Sequence, residues 1–255
     1  MHLLLIDGFN LVRRIYEART PRHDESLDDE ILESASLSLG RALRQHQPSH
    51  ACCVFDSHET TWRHDLFPAY KANRKPTPTP LLDAIPRFEH EFEKIGVKSV
   101  CKPHFEADDV IATMAVAVGN KGKRVTILST DKNFLQLLGE NIRVFNHFNE
   151  EEYDSAWVIK KYGVTQQQLV DYWALTGDST NNIAGVPGIG PKTAQKLIEE
   201  YQSLDALLGA PPADKTGKKI EQHRQDAEDA RELISLNTNV NIGINLNQFR
   251  HIKPS

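Results

Sequence analysis

The residues best suited to chemistry are Glu106, Asp108 and Asp109, three carboxylates within four positions, which open the apolar run Val110–Ala117. If that run is a helix, Glu106 and Asp109 share one face and Asp108 lies about 100° from Asp109 around the axis. Acidic residues in a first turn complement the helix dipole, and one or two would be enough for that. Three crowded carboxylates beside a buried helix repel one another unless a cation sits among them.

Further acids occupy a recurring position. His2-Leu3-Leu4-Leu5-Ile6 is an apolar run ending at Asp7; Ala51-Cys52-Cys53-Val54-Phe55 ends at Asp56; Val125-Thr126-Ile127-Leu128 leads through Ser129 and Thr130 to Asp131. Near-continuous apolar runs suit strands buried on both faces of a parallel sheet, and ligands collect beyond the carboxyl ends of such strands. The pattern therefore predicts Asp7, Asp56 and Asp131 along one sheet edge, where the helix carrying Asp108 begins. Hard divalent cations take oxygen ligands, so a polynuclear divalent-metal site is the expectation.

Two stretches carry the signature of polyanion binding. From Thr61 to Lys75, the basic residues Arg63, Lys71 and Arg74 interleave with Trp62, Phe67 and Tyr70, which suits phosphate neutralisation with base stacking. A solvated helix face is the plain alternative. Gly188-Ile189-Gly190 followed by Pro191-Lys192-Thr193 reads as a helix–hairpin–helix. Its glycines let backbone N–H groups at a helix start approach a phosphate, and Lys192 adds charge. A structural turn between helices is the alternative there.

Strands alternate with helices as far as about Phe148. A helix is expected from Asp28 to about His46, with Ile31, Leu32, Ala35, Leu39, Ala42 and Leu43 on one stripe. After a stiff connector at Pro76, Pro78 and Pro80, another helix carries Leu81, Ile85, Phe88 and Phe92 on one side. Beyond about Tyr153 the chain reads as helical, with a helix over Lys192–Tyr201, a Lys215-Lys218-Lys219 patch and a further helix through Leu236. The fold class expected is α/β, a mostly parallel central sheet flanked by helices, with a helical C-terminal subdomain. The boundaries expected are 1–155 and 156–255.

With 255 residues the chain can bury a sizeable core. A net charge of -5 means that bulk electrostatics do not attract a polyanion, so contacts must come from local basic patches. The N-terminal apolar run is too short for a signal peptide or membrane span. Cys52, Cys53 and Cys101 have no metal-ligand spacing, and their odd number suits a reducing cytosol.

Leu-Ile-Asp7-Gly, Val-Phe-Asp56, Tyr70-Lys71-Ala-Asn-Arg74, Glu106-Ala-Asp108-Asp109, Ser129-Thr-Asp131-Lys132 and Gly177-Asp178 through Lys192 together resemble the bacterial and phage 5′-nuclease (flap endonuclease) family. The resemblance runs from Leu3 to about Tyr201, and no polymerase domain follows, as in the stand-alone form. It implies a PIN-like nuclease fold with an arch near 57–90 and a helix–hairpin–helix at 175–201. It also implies Mg²⁺-dependent hydrolysis of DNA near 5′ flaps and single-strand/duplex junctions, in a cytoplasmic monomer with no membrane partner. Asp7, Asp56, Glu106 and Asp108 would hold the first ion, while Asp109, Asp131 and Asp178 remain for a second. Lys71 and Arg74 would meet the scissile phosphate, with Arg63, Tyr70 and the 188–193 hairpin also on DNA. The family's potassium ion would fall on the carbonyls of Leu175, Thr176, Ala184, Val186 and Ile189.

The sequence departs from the family where Asn133 and Asn181 stand at acidic positions, both in the second-ion group. One firm and one weak Mg²⁺ are therefore expected. The competing expectation is a junction-binding protein whose catalysis is weak or lost. A HAD-type phosphatase is a third idea, but Asp7-Gly8-Phe9 lacks the second acid that chemistry uses.

Overall fold

The computed structural model describes residues 1–19, 29–57 and 59–251. Six strands, β1 (His2–Asp7), β2 (His50–Phe55), β3 (Lys98–Cys101), β4 (Arg124–Leu128), β5 (Ile142–Asn146) and β6 (Glu151–Tyr153), form one sheet in the order β3-β2-β1-β4-β5-β6. The first five strands run parallel and β6 pairs antiparallel with β5. The apolar runs thus become the three central strands.

Alternation along β1 divides the core. Leu3 and Leu5 point into one buried cluster and Leu4 and Ile6 into the other, so the central strand is apolar on both faces. Helices α1 (Gly8–Arg19) and α2 (Asp29–His46) cover one face. The stripe expected on α2 is buried from Ile31 to Leu43, while Asp28 lies outside the described residues. Past α3 (Trp62–Leu66), α4 (Thr79–Asp83) and α5 (Ile85–Lys94) bring Leu81, Ile85, Phe88 and Phe92 to the same face. Gly8 permits this packing at the start of α1, because a Cβ there would sit 2.7 Å from the Cys53 Sγ.

The opposite face is covered by α6 (Ala107–Gly119), whose residues Val110, Ile111, Met114 and Ala115 are buried. The same core continues into α7 (Ser155–Tyr162), α8 (Leu169–Thr176), α9 (Pro191–Tyr201), α10 (Leu204–Gly209), α11 (Lys215–Gln222) and α12 (Arg224–Ile234). Packing of α12 on α8 and of α8 on α9 makes the helical part. No described helix is long and apolar enough to cross a membrane.

Candidate active site

Parallel register places the acids. Ile6 lies level with Cys53 on one side and Leu128 on the other. Asp7 therefore closes the central strand, with Asp56 just beyond β2 and Ser129 through Asp131 just beyond β4. The α6 helix begins at this edge, and the Asp56 carboxylate accepts the Ala107 N–H at 2.8 Å. That bond fixes Asp108, in the first turn, beside the strand ends.

The electrostatics show how closely these groups face one another. Burial, then the charges of Asp56 and Asp131, push the Asp7 carboxyl up to about 7, even though Ser129 Oγ donates to it at 2.7 Å. Burial raises Asp108 well above the carboxylate range, with Asp131 and Asp7 adding to the effect. Glu106 behaves oppositely. Burial alone would raise it, yet Lys71 and Arg63 hold it below its ordinary value. Lys71 Nζ lies 2.5 Å from Glu106 Oε1, and the Tyr70 hydroxyl donates to Oε2 at 3.0 Å.

Asp109 does not join the cluster. Its carboxylate receives Arg63 Nη1 and Nη2 at 2.8 Å each, Trp62 Nε1 at 2.9 Å and the Asn237 N–H at 2.9 Å. Arg63 is 1% exposed, and its remaining donors reach Glu106, Leu233 O and Ser235 O. Asp109, expected on a metal, and Arg63, expected on DNA, are here paired with each other. This buried pair ties α6 to the end of α12, and no donor of Arg63 is left for a phosphate. Tyr70, also expected on DNA, is buried at 5% exposure with its hydroxyl held by Glu106.

The resemblance implies that Lys71 and Arg74 both meet the scissile phosphate. Their segment is a series of turns, with Lys71 at φ 58°. Five hydrogen bonds dock it on the 179–182 loop: Lys71 N–H to Asn181 O, Asn73 to Ser179 O, Arg74 Nε to Thr180 O, Arg74 Nη2 to Asn181 Oδ1, and Asn182 to Ala69 O. Lys71 thus reaches the Glu106 end of the site and Arg74 the Asp178 end.

At that second end, a cleft of about 470 Å³ is lined by Asp131, Asn133, Asp178 and Asn181 together with Arg74, Tyr162 and Trp173. The amide oxygens are engaged: Gln136 donates to Asn133 Oδ1 at 2.6 Å and Arg74 to Asn181 Oδ1 at 2.5 Å. Asn181 in turn donates to Asp178 Oδ2 at 2.5 Å. Tyr162 is pushed up to about 12 by burial, with Tyr172, Asp131 and other neighbours adding to it. Tyr162 and Trp173 line the cleft without having been singled out by any motif, whereas Ser129, within the motif ending at Asp131-Lys132, gains a specific partner in Asp7.

The hairpin has the expected shape. Gly188 is at φ 78°, Gly190 caps α9, and a Cβ on Gly190 would meet open space. Lys192 is exposed, whereas the Ile189 side chain is buried, so only its backbone is available to a ligand. Lys219 also reaches the hairpin, since its Nζ would lie 2.5 Å from a Cβ on Gly188. Gly177, at φ 76°, passes so close to Gly185 that a Cβ would sit 2.5 Å from the Gly185 nitrogen. The Leu175 carbonyl accepts Val186 N–H at 2.9 Å and the Val186 carbonyl accepts Ile189 N–H at 3.0 Å. The structure thus brings together the segments carrying Leu175, Thr176, Ala184, Val186 and Ile189.

Comparison with known proteins agrees with this geometry. Residues 2–163 match the family of the 5′-3′ exonuclease N-terminal resolvase-like domain, and residues 164–255 match the 5′-3′ exonuclease C-terminal SAM fold. The chain belongs to the 5′-3′ exonuclease family. As a member of that family it is a nuclease, with the acidic edge in the residues of the N-terminal domain and the hairpin in the C-terminal fold. Flap endonuclease Xni of Colwellia psychrerythraea is 40% identical over 98% of this chain and 91% of its own length. The Xni protein of Aeromonas salmonicida is 40% identical over 98% and 96%. Among solved structures, a zinc-bound T5 5′-exonuclease superposes with a TM-score of 0.78 over 93% of this chain and 90% of that one, at 21% identity. The bacteriophage T5 D15 flap endonuclease, in a pseudo-enzyme-product complex with DNA and metal ions, gives 0.77 over the same shares. These two show that the 5′-3′ exonuclease architecture is shared.

Proposed function

We propose that this chain is a Mg²⁺-dependent endonuclease that hydrolyses DNA phosphodiesters where a 5′ single strand meets duplex. The observation that carries this reading is the set of mutually repelling carboxylates, with Asp7 and Asp108 both raised, beside a lysine already ion-paired at their margin. An all-oxygen donor set in which the carboxylates outnumber the cations facing them suits a hard divalent cation. Among the described residues no group of three or more acids, histidines or cysteines is arranged as a ready-made metal site.

Asp7, Asp56, Glu106 and Asp108 would hold the first ion, with Asp131 and Asp178 drawing a second weakly. When bound, a divalent cation supplies Lewis-acid activation of the phosphodiester and screening of the acids. The chain's own groups do the positioning. Lys71, 22% exposed, can turn from Glu106 toward an arriving phosphate and stabilise the charge that develops there. Arg74, held by Asn181, fixes the docked segment against the cleft. The exposed Gly190 and Lys192, with the Lys192 N–H at the start of α9, suit a duplex backbone phosphate. Carbonyls from Leu175, Thr176, Ala184, Val186 and Ile189 would hold a K⁺ ion that stiffens the hairpin. The family and its relatives' names favour an enzyme over a binder that has lost catalysis.

The test is incubation of metal-stripped protein with a labelled 5′-flap DNA. Cleavage that appears with Mg²⁺ and stops with chelator is expected. Binding without cleavage at any Mg²⁺ concentration would instead establish the binder.

A further inference from the structure

A second basic feature lies on the face away from the helical part. A groove of about 690 Å³ runs between α1 and α2 and is lined by Arg14, Arg19, Arg41, Arg44, Leu37 and Phe148, among others. All four arginines are exposed. Among the described residues, no carboxylate pairs with Arg14, Arg41 or Arg44, and Arg19 reaches only Glu30, at 3.7 Å. The acid in the groove, Glu17, is taken up by Arg13 at 2.8 Å. In a chain of net charge -5, such a concentration of unpaired guanidinium groups is a departure from the average surface. Arg14 lies over the Phe148 ring, 5.3 Å from its centre, and Leu37 is 60% exposed.

The groove lies next to the acidic cleft. Asn10 and Thr130 line the cleft beside Asp131, both also line a small cavity of about 10 Å³ that reaches Phe148, and Phe148 is shared with the groove. We propose that this groove binds single-stranded DNA, carrying the strand that leaves the catalytic cleft by its phosphates on Arg14, Arg41 and Arg44 and by a base on Phe148. A solvated helix face would account for the arginines one by one. It would not account for their convergence, with exposed apolar side chains, on one groove that adjoins the acidic cleft. Guanidinium groups match phosphate geometry, and an aromatic ring accepts any base. The inference rests on the nuclease reading for its starting point.

The experiment uses the double substitution Arg41→Glu and Arg44→Glu, neither residue belonging to the catalytic machinery. Binding is measured in chelator, so that no strand is cut, to a junction DNA with a 5′ single-stranded extension of about four or about twenty nucleotides. The wild type is expected to bind the longer extension about tenfold more tightly, and the variant to lose that preference while holding the shorter DNA within about twofold. The salt dependence for the long substrate should fall by about 1.4 in log–log slope, the value for two single-strand phosphates. The pair Arg41→Lys and Arg44→Lys should keep most of the preference, separating charge from folding. Equal weakening on both substrates would overturn the groove, as would a variant that still prefers the long extension, or a dependence on duplex length in place of strand length. Mg²⁺-dependent cleavage persisting in such a case would leave the nuclease reading intact, so the two can fail separately.

Discussion

The two ends of the acidic edge are built on opposite principles. At the Glu106 end a carboxylate is braced by a lysine, a phenol and a buried arginine, and is held ionised in a dry setting. At the Asn133 and Asn181 end the same edge opens into a cleft, and neutral amides accept hydrogen bonds from Gln136 and Arg74. One end is prepared to meet a cation with charge already in place; the other has its uncharged oxygens occupied. The difference teaches that proximity to the site is a poor guide to role. Asp108 and Asp109 are neighbours in sequence, yet burial and then like charges oppose ionisation of one, while the other is paired with Arg63.

That contrast can be broken most sharply at these two neighbours. Asp108→Asn should reduce single-turnover cleavage by at least about 100-fold, since a charge facing the ion and the phosphate is removed. In the metal-free protein it should raise the melting temperature at pH 8 by about 2–4 °C, because repulsion with Asp7 and Asp131 is relieved. Asp109→Ala should do the reverse to stability, lowering it by about 3–5 kcal/mol by stranding a buried guanidinium. Denaturant unfolding of both variants checks the pair of signs, and a shift in the same direction for both would dissolve the distinction.

Lys71→Ala comes next in size. The account expects a drop of about 10–100-fold in single-turnover rate, with duplex affinity changed by less than about threefold. Equal losses in rate and affinity would reduce Lys71 to an anchor.

A pH effect follows from Asp7. Its folded value of about 7 lies above the ordinary 3.8, so between those values the metal-free fold holds a proton that the unfolded chain has released. Stability from this group is present in full below about pH 4 and is lost as pH rises through 7. Metal-free protein should therefore melt at a lower temperature at pH 8 than at pH 6, a slope that Asp7→Asn or saturating Mg²⁺ should flatten. Thermal melts at the two pH values, with and without chelator, measure it.

The smallest change is expected at the open end. Restoring acids by Asn133→Asp with Asn181→Asp should lower the Mg²⁺ concentration for half-maximal cleavage by about two- to fivefold. Arg74 stands ready to pair with a new carboxylate and so offsets part of the gain. A cleavage titration superimposable on wild type would mean that these amides do not limit the second ion.

Much of this was legible in the sequence because parallel strands share one carboxyl edge. Apolar runs ending at Asp7, Asp56 and Asp131 could hardly fold otherwise than with those acids together. The helical reading of the segment from Glu106 also placed Glu106 and Asp109 on one face, and Arg63 Nη1 does touch both. What could not be read was the identity of the cation on that face, because Arg63 arrives from a separation of 43 residues and more. Lys71 and Arg74 reach different ends of the site for a related reason. Their segment is held by the 179–182 loop, more than 100 residues away. The groove between α1 and α2 escaped notice because its arginines are scattered along two helices and converge only once both are packed on the sheet.

The central claim, that Asp108 faces a divalent ion and Asp109 does not, is tested most directly by calorimetric titration of Mg²⁺ into metal-free wild type, Asp108→Asn and Asp109→Asn, each verified as folded. The account predicts one firm site in the wild type, its loss in Asp108→Asn, and its retention within about threefold in Asp109→Asn. Undiminished binding by Asp108→Asn, or loss confined to Asp109→Asn, would contradict it.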